Sequence, residues 1–370
     1  MRTNSLLILG IVATIFTVGL LASCGDSIQD SQNNVSGGQS SDFKELLTNQ
    51  VDNLIIPVFE NYNTSLAALQ SAAKVFIQSP DNMGYQDLQS KYEEAYLAYQ
   101  RAAVHNYYAT ANQALVETTN LYPVDTVLLK SLIESESYAF NTMAQRRANG
   151  FPVIDFMLYG NADAVAYFNG NPKRGAFLDT LVGHMLDRSA VIMTNWKGDL
   201  RDNFINNGGT SLGSSISVQL NESLVYYENR IREDKVGIPI GKLGPNDSPI
   251  NPDATKIEAF YKTQKDGNES FSLDLLKAAV QEMQRIYLGK SAAGVDGQGY
   301  DDLLTARDKA SVNTDIKAQF NAVFNSINAR SAVTGDEDLY TNVQLVITLY
   351  KADMFPVLNV QDADGANDGD

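Results

Sequence analysis

The stretch GFPVIDFMLYG, residues 150–160, is the most apolar run outside the N-terminal segment, and it carries one carboxylate, Asp155, at its centre. Glycines stand at both ends, and Pro152 stands where the first turn of a helix tolerates proline. A charge inside such a run costs free energy unless it is paired, hydrogen-bonded or used in function. The stretch therefore predicts a buried element whose carboxylate has a structural or a chemical role.

On both sides of this stretch, apolar residues recur at spacings of three and four, which is typical of amphipathic helices. The pattern predicts helices over residues 43–76 with a kink or break near Pro57, and over 85–115, 126–143, 177–196, 216–231, 253–263, 270–288, 300–327 and 336–354. A loop is predicted over residues 236–245, where glycine and proline recur. No segment alternates polar and apolar residues as a strand does, so the predicted fold class is all-α.

The length of the chain suits two helical bundles. We predict an N-terminal bundle over residues 42–209, a C-terminal bundle over residues 210–360 and an acidic tail over residues 361–370. The Asn-Asn-Gly-Gly segment that ends at Gly209 marks the boundary between the bundles.

The N-terminus has the form of a bacterial lipoprotein signal. Arg2 precedes an apolar run, and Leu21-Ala22-Ser23-Cys24 resembles the cleavage site at which the cysteine is acylated. We therefore predict a signal peptide over residues 1–23, a lipid on Cys24 and a flexible tether over residues 24–41. The alternative is a plain secretory signal with an incidental cysteine. A lipid anchor implies the cell envelope, most simply the outer membrane, on its periplasmic side or at the cell surface.

The formal net charge of −16 argues against binding to nucleic acid and against an electrostatic hold on a membrane surface. The chain has one cysteine, so it forms no intrachain disulfide. No phosphate-binding loop is present, and no Gly-x-Ser-x-Gly sequence follows a predicted strand as a nucleophile elbow does. The two histidines are His105 and His184. His184 and Asp187 lie one helical turn apart and could share a metal ion, although a hydrogen-bonded structural role is the alternative for both histidines.

Residues 150–160 resemble the Gly-x-His-x-x-Glu motif of the imelysin family, which is followed by an apolar run that ends in an aromatic residue and a glycine. Other segments resemble family segments in the same order, and these are Tyr122-Pro123-Val124-Asp125, Gly237–Lys242, Glu269-Ser270 with Ile286–Gly289, Gly299–Leu304 and Asp362–Gly365. The resemblance covers nearly the whole chain after the tether.

This resemblance implies two α-helical bundles, an envelope location and a part in the acquisition of iron or haem. It also implies a metal site, because the His-x-x-Glu of the family has been interpreted as part of a metallopeptidase centre. Here Pro152 stands at the histidine position and Asp155 at the glutamate position. Proline has no ligating atom, and a zinc peptidase needs at least three protein ligands. We therefore predict that peptidase activity is absent, and iron or another divalent metal is kept only as a candidate cofactor.

The sequence favours a pocket near Gly150, where Asp155, Asp125, Tyr122 and Tyr159 converge. Its carboxylates could hold a cation or cap helix ends, and we favour capping because Asp125 is a typical N-cap for the helix that follows. The leading hypothesis is a non-enzymatic, lipid-anchored binding or accessory protein of iron or haem uptake. The alternatives are a metal-dependent peptidase that uses His184, Asp187 and Asp155, and a structural adaptor for an outer-membrane transporter.

Overall fold

The computed structural model describes residues 39–140, 142–243, 248–335 and 337–363. In chain order its α-helices are α1 (Gln39–Asn49), α2 (Ile56–Gln78), α3 (Asn82–Val104), α4 (Ala109–Asn112), α5 (Leu115–Thr119), α6 (Thr126–Ser135), α7 (Phe151–Tyr159), α8 (Ala164–Asn169), α9 (Pro172–Lys197), α10 (Asp199–Asn206), α11 (Ser215–Tyr226), α12 (Ile238–Ile240), α13 (Phe260–Asp266), α14 (Ser270–Leu288), α15 (Tyr300–Ala306), α16 (Ala310–Asn328), α17 (Asp338–Thr348) and α18 (Phe355–Leu358). Within the described ranges no strand forms, and a single bridge joins Lys290 to Asp296. The predicted all-α fold class is confirmed.

Four tighter or wider helical segments connect these helices. They are the π-helices Gln50–Ile55, Tyr227–Gly237 and Leu349–Met354 and the 3₁₀-helix Met143–Ala148. The first of them ends just before Pro57, where the sequence predicted a kink or break, and Pro57 lies in the first turn of α2. That position tolerates proline because its missing N–H would have no partner inside the helix.

Helix α3 lies in the core, where it packs against α2 and α14. Its buried side carries Leu88, Tyr92, Tyr96 and Tyr99, which belong to the hydrophobic core. The ring of Tyr96 stacks on that of Phe151 in α7 with 4.4 Å between centroids. This packing places α7, which lies within the stretch of residues 150–160, in the hydrophobic core.

Several predicted boundaries were wrong. The loop predicted over residues 236–245 begins instead as helix, because Pro239 falls in the first turn of α12 and interrupts nothing. The helix predicted over 253–263 is displaced to α13, which begins after Ala259 in a left-handed conformation. The helix predicted over 300–327 is broken between α15 and α16, where Asp308 has a φ of +59°.

Two further helices are shorter than predicted. The helix predicted over 85–115 ends at Val104, and the next residue, His105, is wholly buried. The helix predicted over 126–143 ends at Ser135, because Glu136 adopts a left-handed conformation. Neither stop carries the glycine or proline that usually marks a helix end in a sequence.

The described residues belong to one compact unit, Gly37–Asp370. The division into bundles at Gly209 therefore stays a prediction. The signal peptide over residues 1–23, Cys24 and most of the tether over residues 24–41 lie outside the described residues, although α1 already begins at Gln39. No helix in the described part of the chain has the length and apolar character needed to cross a membrane.

Only the first three residues of the predicted acidic tail are described. They are held against α11 by one side chain, since Asn221 donates to the carbonyl of Gln361 at 3.1 Å and accepts from the N–H of Ala363 at 2.9 Å. The start of the tail is thus attached to the folded body.

Candidate functional site

Helix α7 is buried along its whole length. Gly150, which precedes it, has a φ of +75°, and a Cβ atom there would lie 1.8 Å from the carbonyl oxygen of Thr119. Pro152 occupies the first turn, as the sequence predicted. The glycine lets two backbone segments meet, and this contact sets where α7 enters the core.

Asp155 is 1% exposed, and its carboxylate caps the N-terminus of α13. Its Oδ2 accepts the N–H of Tyr261 at 2.8 Å, and its Oδ1 accepts the N–H of Lys262 at 3.1 Å. Both N–H groups belong to the first turn of α13, where no intrahelical acceptor exists. Asp155 therefore acts as a helix cap supplied by a residue more than 100 positions earlier in the chain.

Burial raises the pKa of Asp155 to about 7. The two backbone N–H groups and the Lys262 ammonium favour the ionised carboxylate, but they offset only part of the cost of removing it from water. Lys262 is also shared, because its Nζ lies 2.7 Å from Glu93 and 2.9 Å from Asp266. The carboxyl group at the centre of α7 therefore changes charge near neutral pH.

Replacing Asp155 with asparagine is expected to remove part of the pH dependence of stability. A folded-state pKa of about 7 lies above the unfolded value of 3.8, so the folded state binds the extra proton between these values. The wild-type free energy of unfolding should therefore fall as pH rises from 5 to 8, by roughly 2–3 kcal/mol from this group. Chemical denaturation at several pH values measures the difference between wild type and Asp155→Asn.

Asp125→Asn is the matched control, because Asp125 also caps a helix but is exposed. This variant should keep the wild-type fall in stability between pH 5 and 8, because Asp155 is unchanged. Equal slopes for wild type and Asp155→Asn would contradict the raised pKa of Asp155.

A cavity of about 160 Å³ lies beside the Asp155 carboxyl. Its lining residues are Tyr122, Pro123, Val124, Pro152, Asp155, Thr255, Ile257, Ala259, Phe260 and Tyr261. Two of the four residues predicted to converge in a pocket here, Tyr122 and Asp155, therefore meet at one cavity, and Pro152 of the motif also lines it. Its opposite wall comes from the segment before α13, which the sequence did not indicate.

The other two predicted pocket residues serve neighbouring elements. Asp125 caps α6 as predicted, accepting from the N–H groups of Val127 at 3.1 Å and Leu128 at 2.9 Å. The Tyr159 hydroxyl donates to Glu93 at 3.2 Å. Neither residue lines the cavity.

The proposed metal ligands do not gather at one place. His184 bonds through Nε2 to the guanidinium of Arg188 at 2.9 Å and packs beside the ring of Phe140. Burial and the charge of Arg188 lower the pKa of His184. Over residues 39–140, 142–243, 248–335 and 337–363, no group of three or more His, Cys, Asp or Glu side chains is arranged to hold a metal ion.

A buried polar cluster behind the cavity was missed by the sequence reasoning. Glu258, between two cavity-lining residues, forms an ion pair with Lys235, and both side chains are less than 5% exposed. Gln100 bridges them, accepting from Lys235 Nζ at 2.8 Å and donating to Glu258 at 3.0 Å. Asn120 donates a further hydrogen bond to Glu258 at 2.5 Å. Burial lowers the pKa of Lys235, and the pairing with Glu258 opposes that shift.

Tyr122 stands between this cluster and the cavity, since it also lines a void of about 10 Å³ that contacts Lys235 and Glu258. Its hydroxyl is enclosed and has no hydrogen-bond partner in the described part of the chain. A void of that size holds about one water molecule, which would satisfy the hydroxyl. The site is thus a small cavity lined by the titratable carboxyl group of Asp155. The buried ion pair of Lys235 and Glu258 lies behind the cavity wall that Ile257 and Ala259 form.

The fold and this site define an all-α protein whose cavity is built around a helix-capping carboxylate. The chain belongs to the imelysin family, because the family model described as Imelysin matches residues 55–348. The family resemblance expected from the sequence is confirmed.

Two solved structures share the fold. An imelysin-like protein from Psychrobacter arcticum 273-4 is 14% identical, with a TM-score of 0.68 over 88% of this chain and 98% of that chain. A "putative iron-regulated protein A precursor" from Parabacteroides distasonis ATCC 8503 is 14% identical, with a TM-score of 0.65 over 88% of this chain and 95% of that chain. Among curated proteins, no sequence is detectably similar.

Proposed function

We propose that this protein is a non-enzymatic binding or accessory component of iron or haem uptake, held at the bacterial cell envelope by a lipid on Cys24. Its ligand or partner would engage the cavity beside Asp155. The observation that carries the non-enzymatic part of the proposal is the arrangement at the family motif. Pro152 offers no ligating atom, and both oxygens of Asp155 already accept backbone N–H groups.

The residues at the motif do not fit a metal ion. A carboxylate that turned towards a metal would leave two N–H groups at the start of α13 without an acceptor, at a cost of about 1–3 kcal/mol each. His184, the histidine proposed to act with Asp155 in a metal site, is already hydrogen-bonded to Arg188. Asp155 therefore supports the shape of the cavity and the position of α13 rather than a reaction centre.

The iron-related part of the proposal is supported by family membership and by the iron-regulated description of the Parabacteroides distasonis protein. The envelope location is supported by the lipoprotein-like sequence that ends at Cys24. Partners consistent with this location are the membrane, through the lipid, and an outer-membrane transporter. The alternative is a metal-dependent peptidase that uses His184, Asp187 and Asp155. The test must distinguish this alternative from the proposed binding or accessory role.

Complementation of a deletion strain tests the proposal. Uptake of radiolabelled iron by iron-limited cells should fall on deletion and return with the wild-type gene. The Asp155→Asn and His184→Ala variants should both restore uptake, because an asparagine oxygen still accepts at the start of α13 and His184 has only a structural role. The Cys24→Ala variant should restore little, since it cannot be lipidated. Immunoblots control for the amount of each variant.

A metallopeptidase would give the opposite pattern, in which Asp155→Asn and His184→Ala both fail at normal protein levels. Titration of the purified wild-type protein with zinc and iron salts should accompany the experiment. Stoichiometric metal binding that either substitution abolishes would contradict the proposal, as would unchanged iron uptake in the deletion strain.

A further inference from the structure

A second and larger cavity, of about 410 Å³, shares no lining residue with the cavity beside Asp155. It is enclosed by the start of α2 and the π-helix before it, by the end of α3, by α14 and by the loop after α14. Its lining residues are Asn53, Leu54, Pro57, Val58, Asn61, Arg101, Glu282, Arg285, Ser291, Ala292, Ala293 and Val295. This volume falls in the range typical of small-molecule sites.

The cavity combines apolar walls with a charged floor. Leu54, Pro57 and Val58 face it from one side, and the alanines and valine of the 291–295 loop face it from the other. Arg101 and Arg285 bring two guanidinium groups to the same space, together with the carboxylate of Glu282. Two neighbouring arginines in a mostly apolar pocket are unexpected in a chain whose net charge is −16.

Glu282 cannot form an ion pair with both Arg101 and Arg285. Its Oε1 lies 3.1 Å from Nε2 of His105, and its Oε2 accepts from Nη1 of Arg285 at 3.2 Å. His105 is itself fixed, with Nδ1 2.9 Å from the hydroxyl of Tyr107. Glu282 and His105 are at most 1% exposed, so turning the carboxylate towards Arg101 would leave a buried polar group without its partner.

Arg101 is consequently left without a counter-ion among the described residues. Its Nη1 makes one long hydrogen bond, 3.5 Å to the carbonyl of Leu97, and its enclosed Nε has no acceptor. Burial and the neighbouring charge of Arg285 lower the pKa of Arg101, and the charge of Glu282 only partly opposes them. Like charges held together in a partly buried place are stabilised by an anion, and among the described residues no carboxylate forms an ion pair with Arg101, because Glu282 pairs with His105 and Arg285.

We propose that this cavity binds a small organic monoanion, a carboxylate with an apolar body, whose head meets Arg101 and whose body lies against Leu54 and Val58. The charge count favours a monoanion, because the two arginines and Glu282 together leave one positive charge. A planar carboxylate also matches the fork of a guanidinium group, which can donate two parallel hydrogen bonds. The proposal does not depend on the proposed function, since its residues are separate from those around Asp155.

Isothermal titration calorimetry of the purified protein with sodium octanoate tests the proposal. Wild type should bind octanoate, and Arg101→Gln should weaken binding by about tenfold or more, because a charge-assisted hydrogen-bonded pair is lost. Ala293→Trp should also weaken binding, since it fills the mouth of the cavity from an exposed loop and keeps every charge. Arg146→Gln, a loss of one arginine away from the cavity, is the matched control and should leave binding unchanged.

Two further probes test separately whether binding needs the negative charge of the ligand and whether it needs the apolar chain. Octylammonium carries the same chain with the opposite charge and should not bind, and inorganic phosphate lacks the chain and should not displace octanoate. Thermal unfolding of each variant checks that it is folded, and Ala293→Trp keeps the test decisive if Arg101→Gln is unstable. The proposal is overturned if wild type shows no binding up to millimolar octanoate, if octylammonium binds as well, or if neither substitution weakens binding.

Discussion

Replacing Lys235 with methionine is expected to lower the free energy of unfolding by about 3–5 kcal/mol. The substitution keeps most of the apolar stem but removes the ammonium group, so it leaves the carboxylate of Glu258 charged and buried. Gln100 and Asn120 would still donate hydrogen bonds to that carboxylate, but neither amide carries a compensating charge. An uncompensated charge in this environment is among the most destabilising single changes that a fold meets.

Urea denaturation of Lys235→Met and of the double variant with Glu258→Gln measures the effect. The double variant should recover more than half of the loss, because no unpaired charge then remains. Lys242→Met is the control, since Lys242 pairs with Glu337 at 2.7 Å on the surface, where both side chains are more than 40% exposed. That change should cost less than about 1 kcal/mol. Similar losses for Lys235→Met and Lys242→Met would contradict the burial of the Lys235 pair.

This ion pair also fixes the geometry of the cavity beside Asp155. Lys235 belongs to the π-helix Tyr227–Gly237, Gln100 belongs to α3, and Glu258 lies on the segment that leads into α13. Because Ile257 and Ala259 flank Glu258 and line the cavity, the pair holds that wall against the core.

The sequence predicted the fold class well because the necessary information is local. The spacing of Leu88, Tyr92, Tyr96 and Tyr99 already indicates which side of α3 is buried, whatever packs against it. The same holds for Pro152 and Asp125, whose positions at helix starts follow from residues within one turn. The helix stops at Val104 and Ser135 were missed because no glycine or proline marks either of them in the sequence.

The candidate site was harder to predict, because its contacts join distant parts of the chain. The partners of Asp155 are backbone N–H groups more than 100 residues away, and no residue type identifies them in a sequence. Lys235 lies in the charged run Arg230–Lys235, which is typical of a solvated surface, yet the structure buries its ammonium group. The sequence identified Asp155 as important and gave no indication of what it contacts.

Replacing Gly150 with alanine is expected to destabilise the protein by about 3 kcal/mol or more, which combines backbone strain of about 1–3 kcal/mol with a steric clash. The backbone at Gly150 has φ of +75° and ψ of −160°, a region that residues with a Cβ atom avoid. The added Cβ would also lie 1.8 Å from the carbonyl oxygen of Thr119 and 2.4 Å from its carbonyl carbon. Both are backbone atoms, so no change of rotamer can relieve the contact.

Gly213→Ala separates the two contributions, because Gly213 has a φ of +86° but no atom within 4 Å of the position that a Cβ would take. It should cost only the backbone strain of about 1 kcal/mol that a left-handed alanine incurs. Denaturation of both variants measures the difference, which reports the contact between α7 and the Thr119 carbonyl. In Gly150→Ala the segment must move away from Thr119, and Asp155 moves with it, so the pH dependence assigned to Asp155 should weaken in parallel. A stable Gly150→Ala variant with wild-type pH dependence would show that the entry of α7 into the core does not rest on this glycine.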